Sequence, residues 1–246
     1  MKNEMILKEF QQIYDRLSYC RDRSEVFTDF INVYLYYLSV GMLNEDYNII
    51  EKKYSQEELS DFRLLMDVVA KNSEEFNDSL GDVFMEYVSH GHNGQFFTPI
   101  HICDFMTRIS GVDELRSEDS VCDPCCGSGR MLLSAAKLGS KKNNGSRPYC
   151  YGSDIDLLCV KMCVINMIIN SIPGEVAWMD ALSMEHWRSY HIELILVCGM
   201  WFPSLKVTGA GQTTFIQRLK KTMETKPELI EQVKEKIEAR QLSLDF

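Results

Sequence analysis

Ser120-Val-Cys-Asp123-Pro-Cys-Cys-Gly127-Ser-Gly129 is the stretch that decides the fold. A short strand ends on an acid, two glycines permit a tight turn, and helical spacing resumes from Gly129 to Leu138. Strand, glycine turn and helix N-terminus in succession put a ligand at the carboxyl end of a strand in an α/β sheet. A nicotinamide dinucleotide would ask for a third glycine where Leu132 stands. A phosphate loop would ask for Gly-Lys-Ser or Gly-Lys-Thr, which is absent. The acid before the glycines suits an ammonium group instead, and the N–H groups of the turn suit a carboxylate. A nucleoside that carries an amino acid has both. The competing reading is a structural turn that binds nothing.

Working outward, Tyr149–Asp154 reads as a second strand, followed by an apolar helix to about Asn170. Glu175–Met179 reads as a third strand and Glu193–Cys198 as a fourth. Alternating strand and helix predict a mostly parallel α/β sheet, with strand one central in it. Asp154 ends strand two, where an acid meets a ribose diol in nucleoside-binding folds. Asp156 suits the N-cap of the next helix. Asp180 follows strand three and is a candidate acceptor for an adenine amino group. Each acid alone is an ordinary turn residue, whereas three at successive strand ends make a constellation.

The first third of the chain is helical. Apolar residues fall at helical spacing in four stripes, around Phe10–Leu17, Phe27–Leu38, Leu59–Val69 and Leu80–Val88. Two glycines in His90-Gly-His-Asn-Gly-Gln95 break the pattern. After Cys198 the alternation stops, no further strand is expected, and two helical stretches meet near Pro227, one carrying Leu229, Ile230, Val233 and Ile237 on a single face. The expected organisation is a helical domain over 1–93, a partial α/β domain over 94–202 and a helical extension over 203–246.

Composition bounds the class. With 45% hydrophobic and 25% charged residues in 246, the chain is an ordinary globular one, so disorder and low-complexity arrays are excluded. No stretch approaches the roughly 20 apolar residues of a bilayer span. Net charge is −10, concentrated in residues 1–90, where 9 Lys and Arg face 18 Asp and Glu. That acidic third is a poor surface for nucleic acid and suits packing or a protein partner. Without an export signal the expected location is cytoplasmic, with the nine cysteines reduced. Cys122 and Cys125, with Cys159 and Cys163 as a second pair, raise a zinc site, but strand and helix positions suit buried thiols better and no metal is expected. His186 and His191 read as surface residues, and His90, His92 and His101 lack metal-motif spacing.

These motifs together resemble the N6-adenine DNA methyltransferase family, specifically the modification subunit of type I restriction–modification systems. Gly94-Gln95-Phe96-Phe97-Thr98-Pro99 resembles the family's segment that closes over the cofactor. Asp123-Pro-Cys-Cys-Gly127-Ser-Gly129 resembles its glycine loop, Gly152-Ser-Asp154-Ile-Asp156 its ribose segment, and Asp180-Ala-Leu182 its adenine segment. The likeness covers roughly 1–202, including the N-terminal helical region. It implies a Rossmann-like S-adenosylmethionine-dependent methyltransferase fold, incomplete here and preceded by an all-α domain. It implies S-adenosylmethionine as cofactor, held by Phe97, Thr98, Asp123, Gly127, Gly129, Asp154 and Asp180, and DNA as the partner, engaged within a complex.

The family's next motif is Asn-Pro-Pro-aromatic after a fourth strand. Aligned on Leu194–Cys198, this chain has Gly199-Met200-Trp201-Phe202, so only an aromatic survives. The resemblance then implies a lost acceptor for the adenine amino group and impaired catalysis. An exposed fourth-strand edge would need a protein partner, a second copy or the C-terminal helices to cover it. Three readings stay open: a methyltransferase completed by a partner, a cofactor-binding assembly or regulatory subunit without catalysis, and a folded relic that binds no cofactor. The second is favoured.

Overall fold

The computed structural model describes residues 2–88, 97–115, 119–142, 145–214 and 217. Its first third is helical: α1 (Lys2–Leu17), α2 (Arg23–Leu38), α3 (Asn44–Ile50), α4 (Gln56–Asn72) and α5 (Ser79–Val83), which runs on into a π-helical turn, Phe84–Val88. Local chemistry sets the starts. Asp22 accepts from the Glu25 N–H, and Ser55 and Glu58 form a reciprocal capping box. Phe10, Tyr14, Phe27, Phe30, Phe62 and Phe84 are buried and packed ring on ring, which is where the aromatic stripes of the sequence meet.

After α6 (Ile100–Ile109), for which the sequence reading offered no element, comes the α/β part: β1 (Ser120–Asp123), α7 (Arg130–Lys142), β2 (Tyr149–Asp154), α8 (Leu157–Ile169), β3 (Gly174–Asp180), β4 (Glu185–Val197) and β5 (Met200–Thr208). The sheet runs β1-β2-β3-β4-β5, in chain order. β1, β2 and β3 pair in parallel, as expected. Both crossovers step the same way along the sheet, so α7 and α8 lie on one face. A Cβ at Gly152 would meet Leu132 of α7, and one at Gly174 would meet Met167 of α8. The N-terminal helices pack outside this pair, α2 against α8.

Three expectations fail. Strand one is not central: among the described strands β1 pairs with β2 alone. The fourth strand is not parallel and does not begin at Glu193; β4 begins at Glu185 and runs back along β3. Nor does strand structure end at Cys198, because β5 pairs with β4 from Met200 to Thr208, so residues 203–208 are strand and not helical extension. The physical reason is a turn. Cys198 and Gly199 both have positive φ, 51° and 82°, between the paired residues Val197 and Met200. That is the two-residue primed turn whose twist suits an antiparallel ribbon. The C-terminal stripe of Leu229, Ile230, Val233 and Ile237 lies outside the described residues, as do Gly94, Gln95, Phe96, His90 and His92.

Candidate cofactor cleft

The glycine turn is built as its residue types require. Gly127 and Gly129 sit at φ 52° and 94°, which L side chains rarely adopt. A Cβ on Gly127 would press the Phe97 ring at 3.0 Å, and one on Gly129 would reach Cys163 Sγ at 2.8 Å. The turn is also closed by its own hydrogen bonds. Cys125 N–H donates to Asp123 Oδ1 (3.1 Å), Cys126 N–H to the Ser153 carbonyl (2.9 Å) and Gly127 N–H to Asp154 Oδ2 (2.9 Å). Burial raises the Asp123 pKa; the Cys125 N–H opposes this and the charge of Asp154 adds to it.

Beside the turn lies a cleft of about 460 Å³, lined by Phe97, Gly127, Asp154, Ile155, Asp180 and Leu182 among others. Four of the seven expected residues, Phe97, Gly127, Asp154 and Asp180, therefore face one space at the carboxyl ends of β1, β2 and β3. The other three are placed differently. Asp123 braces the base of the turn, Gly129 lies beneath it against Cys163, and Thr98 is on the surface. Thr98 acts through its carbonyl, which accepts from Arg130 Nη1 at 3.4 Å. Asp156 caps α8 through the Leu158 N–H (2.8 Å), as expected. Asp180 accepts from the Leu182 and Ser183 N–H groups, which hold its pKa below the ordinary value.

The sequence reading missed the apolar lips. Ile155 directly follows Asp154, Leu182 stands two residues after Asp180, and both are among the exposed large apolar residues, Leu182 at 96%. Large apolar residues one or two positions after the strand-end acids are the signal that would have found them. A larger hollow of about 620 Å³ exists at the other end of the sheet, lined by Arg147, Tyr149, Leu194 and Trp201. It has neither the glycine turn nor the strand-end acids, so the smaller cleft is the candidate site.

Gly199-Met200-Trp201-Phe202 is not part of this cleft. β4 starts beside Asp180 at the cleft end and runs away from it, so the hairpin tip lies at the opposite end of the sheet. Ile192 pairs with Gly174, and five further residues carry the ribbon about 17 Å past β3. The resemblance sets this tetrapeptide against a motif that follows the fourth strand, but β4 is antiparallel to β3 and ends away from the cleft. The chain's six prolines are never adjacent, so Asn-Pro-Pro-aromatic occurs nowhere in it.

His186 and His191 are buried on β4, not on the surface. His186 Nδ1 accepts from the Gly211 N–H (2.9 Å) and Nε2 meets Ser189 Oγ (2.8 Å), while His191 Nε2 meets Thr208 Oγ1 (2.9 Å). Among the described residues no group of three or more His, Cys, Asp or Glu is arranged to hold a metal ion, and no helix is long and apolar enough to cross a membrane.

A family model described as N-6 DNA Methylase matches residues 76–201. The type I restriction enzyme MpnII methylase subunit of Mycoplasma pneumoniae is 28% identical over 167 residues, covering 61% of this chain and 30% of that protein. The type II restriction enzyme and methyltransferase RM.BcgI of Heyndrickxia coagulans is 32% identical over 117 residues, 43% of this chain and 18% of that one. The chain thus spans less than a third of the length of either relative. In fold it is similar to a Listeria monocytogenes crystal structure whose name assigns it to the class I S-adenosylmethionine-dependent methyltransferases, with a TM-score of 0.50, 13% identity, and coverage of 72% of this chain and 54% of that one. The family model takes in just over half of the chain, from the end of the helical region through the glycine turn and strand-end acids to the hairpin, and on that match the chain belongs to the N-6 DNA methylase family.

Proposed function

We propose that the chain is an S-adenosylmethionine-binding subunit related to restriction–modification DNA methyltransferases, and that it does not methylate adenine by itself. The observation that carries the binding half is the cleft: a glycine turn and two strand-end acids, Asp154 and Asp180, with apolar lips at Ile155 and Leu182. The adenosine end of the cofactor would lie along Ile155 to Leu182. Its ribose would meet Asp154, its adenine amino group Asp180, and its amino-acid end the part of the turn that lines the cleft, Pro124, Cys125 and Gly127. When bound, the cofactor supplies an electrophilic methyl group. The protein's own residues orient it and, with Phe97 over Gly127, narrow its access to water.

The non-catalytic half rests on two features. The chain has no Asn-Pro-Pro-aromatic segment, and the hairpin aligned with it points away from the cleft. Positioned acceptors that hold a reacting amino group are worth about 3–4 kcal/mol each in a transition state. The chain then divides into 1–93, 94–208 and 209–246, since β5 carries the second region past 202 to Thr208.

DNA would be engaged only within a complex, in the cytoplasm. The proposed protein contact is the hairpin arm. Ile195, Leu196, Val197, Met200, Trp201 and Phe202 are all exposed, with no charge from Leu194 to Pro203. So many contiguous exposed apolar side chains mark an interaction surface. A calorimetric titration with S-adenosylmethionine tests the central claim: saturable heat that is lost in Asp154→Ala supports it. Absence of heat at millimolar cofactor leaves the relic reading.

A further inference from the structure

Asp78 belongs to the helical region, yet it is bonded to the glycine turn 50 residues later. It is 4% exposed and caps α5 through the Gly81 N–H (2.8 Å). Oδ1 also accepts from Asn166 Nδ2 of α8 (2.7 Å), and Oδ2 accepts from Ser128 Oγ and from Arg130 Nε (2.6 Å). Four donors therefore occupy the roughly four acceptor sites of one carboxylate. Ser128 lies between Gly127 and Gly129, and its backbone carbonyl takes the second Asn166 N–H (2.8 Å). Arg130 opens α7, pairs with Asp82 as well, and reaches the Thr98 carbonyl while lying over the Phe97 ring. Burial works against the Arg130 charge, but Asp78 and Asp82 outweigh it and hold the guanidinium above its ordinary pKa.

The close approach is built in. A Cβ on Gly81 would fall 1.9 Å from Asp78 Oδ2 and 2.7 Å from Ser128 Oγ, so only glycine lets the two regions meet here. The turn's middle side chain thus points away from the cleft into this lock, with Ser128 1% exposed. Two left-handed glycines flank it and have no side chains to hold them, so the anchored Ser128 fixes the path of the turn.

We propose that Asp78 is a positioning residue for the cofactor: by holding Ser128 and Arg130 it sets the turn that receives the amino-acid end, and so couples the helical region to cofactor affinity. This rests on the reading of the cleft given above. The coupling is reciprocal, so an occupied cleft must also steady α5.

The test uses the full chain, with Asp78→Asn and Ser128→Ala made singly and together. Each is titrated with S-adenosylmethionine and with methylthioadenosine, which keeps the adenosine end and lacks the amino-acid end. Asp78→Asn turns one acceptor oxygen into a donor amide, and Ser128→Ala removes the anchor with little change in volume. The expected result is about a tenfold loss of affinity for S-adenosylmethionine in either single variant, the scale of one lost charge-assisted hydrogen bond. Methylthioadenosine affinity stays unchanged, and the double variant is no worse than Asp78→Asn. Equal losses for both ligands, additive losses in the double variant, or no loss in a folded Ser128→Ala each overturn the proposal. Should Asp78→Asn fail to fold, Ser128→Ala decides alone by the same ligand comparison. If the wild-type chain binds neither ligand, the cofactor reading itself fails and Asp78 reverts to a structural acid.

Discussion

Asp154 Oδ2 accepts the Gly127 N–H at 2.9 Å, while its other oxygen accepts the Asp156 N–H at 2.9 Å, so one carboxylate ties the end of β2 to the turn after β1. A carboxylate offers about four acceptor sites, which leaves two for the hydroxyls of a diol. The acid thus has a structural duty and a ligand duty together.

Asp154→Ala should show both. Removing it leaves two partly buried N–H groups without acceptors, for a stability loss of about 1–3 kcal/mol. Cofactor affinity should fall by a similar free energy. Chemical denaturation and calorimetry measure the two separately; a variant with intact stability and weakened binding would remove the structural half of this account.

Gly129→Ala should destabilise more than Gly145→Ala. Both glycines have φ near +90°, so the backbone cost is shared. Around Gly145 nothing lies within 4 Å of an added Cβ, whereas at Gly129 it meets Cys163 Sγ at 2.8 Å. Overpacking of that kind costs about 1–3 kcal/mol. Equal melting temperatures for the two variants would mean the turn has room the structure does not show.

The isolated chain should transfer no labelled methyl group to unmethylated DNA of mixed sequence. Writing Asn-Pro-Pro into positions 199–201 should not rescue it, because the hairpin tip lies across the sheet from the cleft. Adenine-specific transfer by the wild-type chain, or by that triple variant, refutes this.

The hairpin arm should drive association. Replacing Leu196 and Trp201, exposed by 59% and 63%, with serine should leave the fold and cofactor cleft intact and shift sedimentation toward monomer or raise solubility. An unchanged sedimentation profile at high concentration would leave the arm's apolar surface without this role.

Acid should loosen the far face of the sheet. His186 Nδ1 takes the Gly211 N–H, so the ring there is neutral, and burial lowers its pKa from the ordinary 6.5. The unfolded chain binds this proton more readily. The contribution is complete above about pH 6.5 and is lost as pH falls through the lowered folded value. Melting temperatures from pH 8 to 5 should fall more steeply for wild type than for His186→Gln.

Legibility followed the range of each signal. The Asp123–Gly129 turn, the parallel strands up to Asp180 and the Asp156 cap are local: adjacent residues carry them, and they stand where the sequence reading had them. The reversal at Cys198–Gly199 was hidden because Cys is not a customary residue for the first left-handed position of a hairpin turn, and the apolar run on both sides reads equally as one buried parallel strand. The Asp78 lock was invisible for a different reason: its partners Ser128, Arg130 and Asn166 lie 50, 52 and 88 residues away, and nothing local in Asn77-Asp78-Ser79 says more than a helix cap.

The coincidence of spatial and chain order in β1-β2-β3-β4-β5 bears on how this protein is made. Each strand after the first adds to the margin its predecessor has just formed, and none must slide between two neighbours already paired. A ribosome delivering the chain N-terminus first therefore supplies every strand with its template before the strand itself emerges. The sheet can grow by accretion during synthesis, and its last-laid piece, the β4–β5 ribbon, closes with a two-residue turn, so its own pairing starts at minimal loop-closure cost.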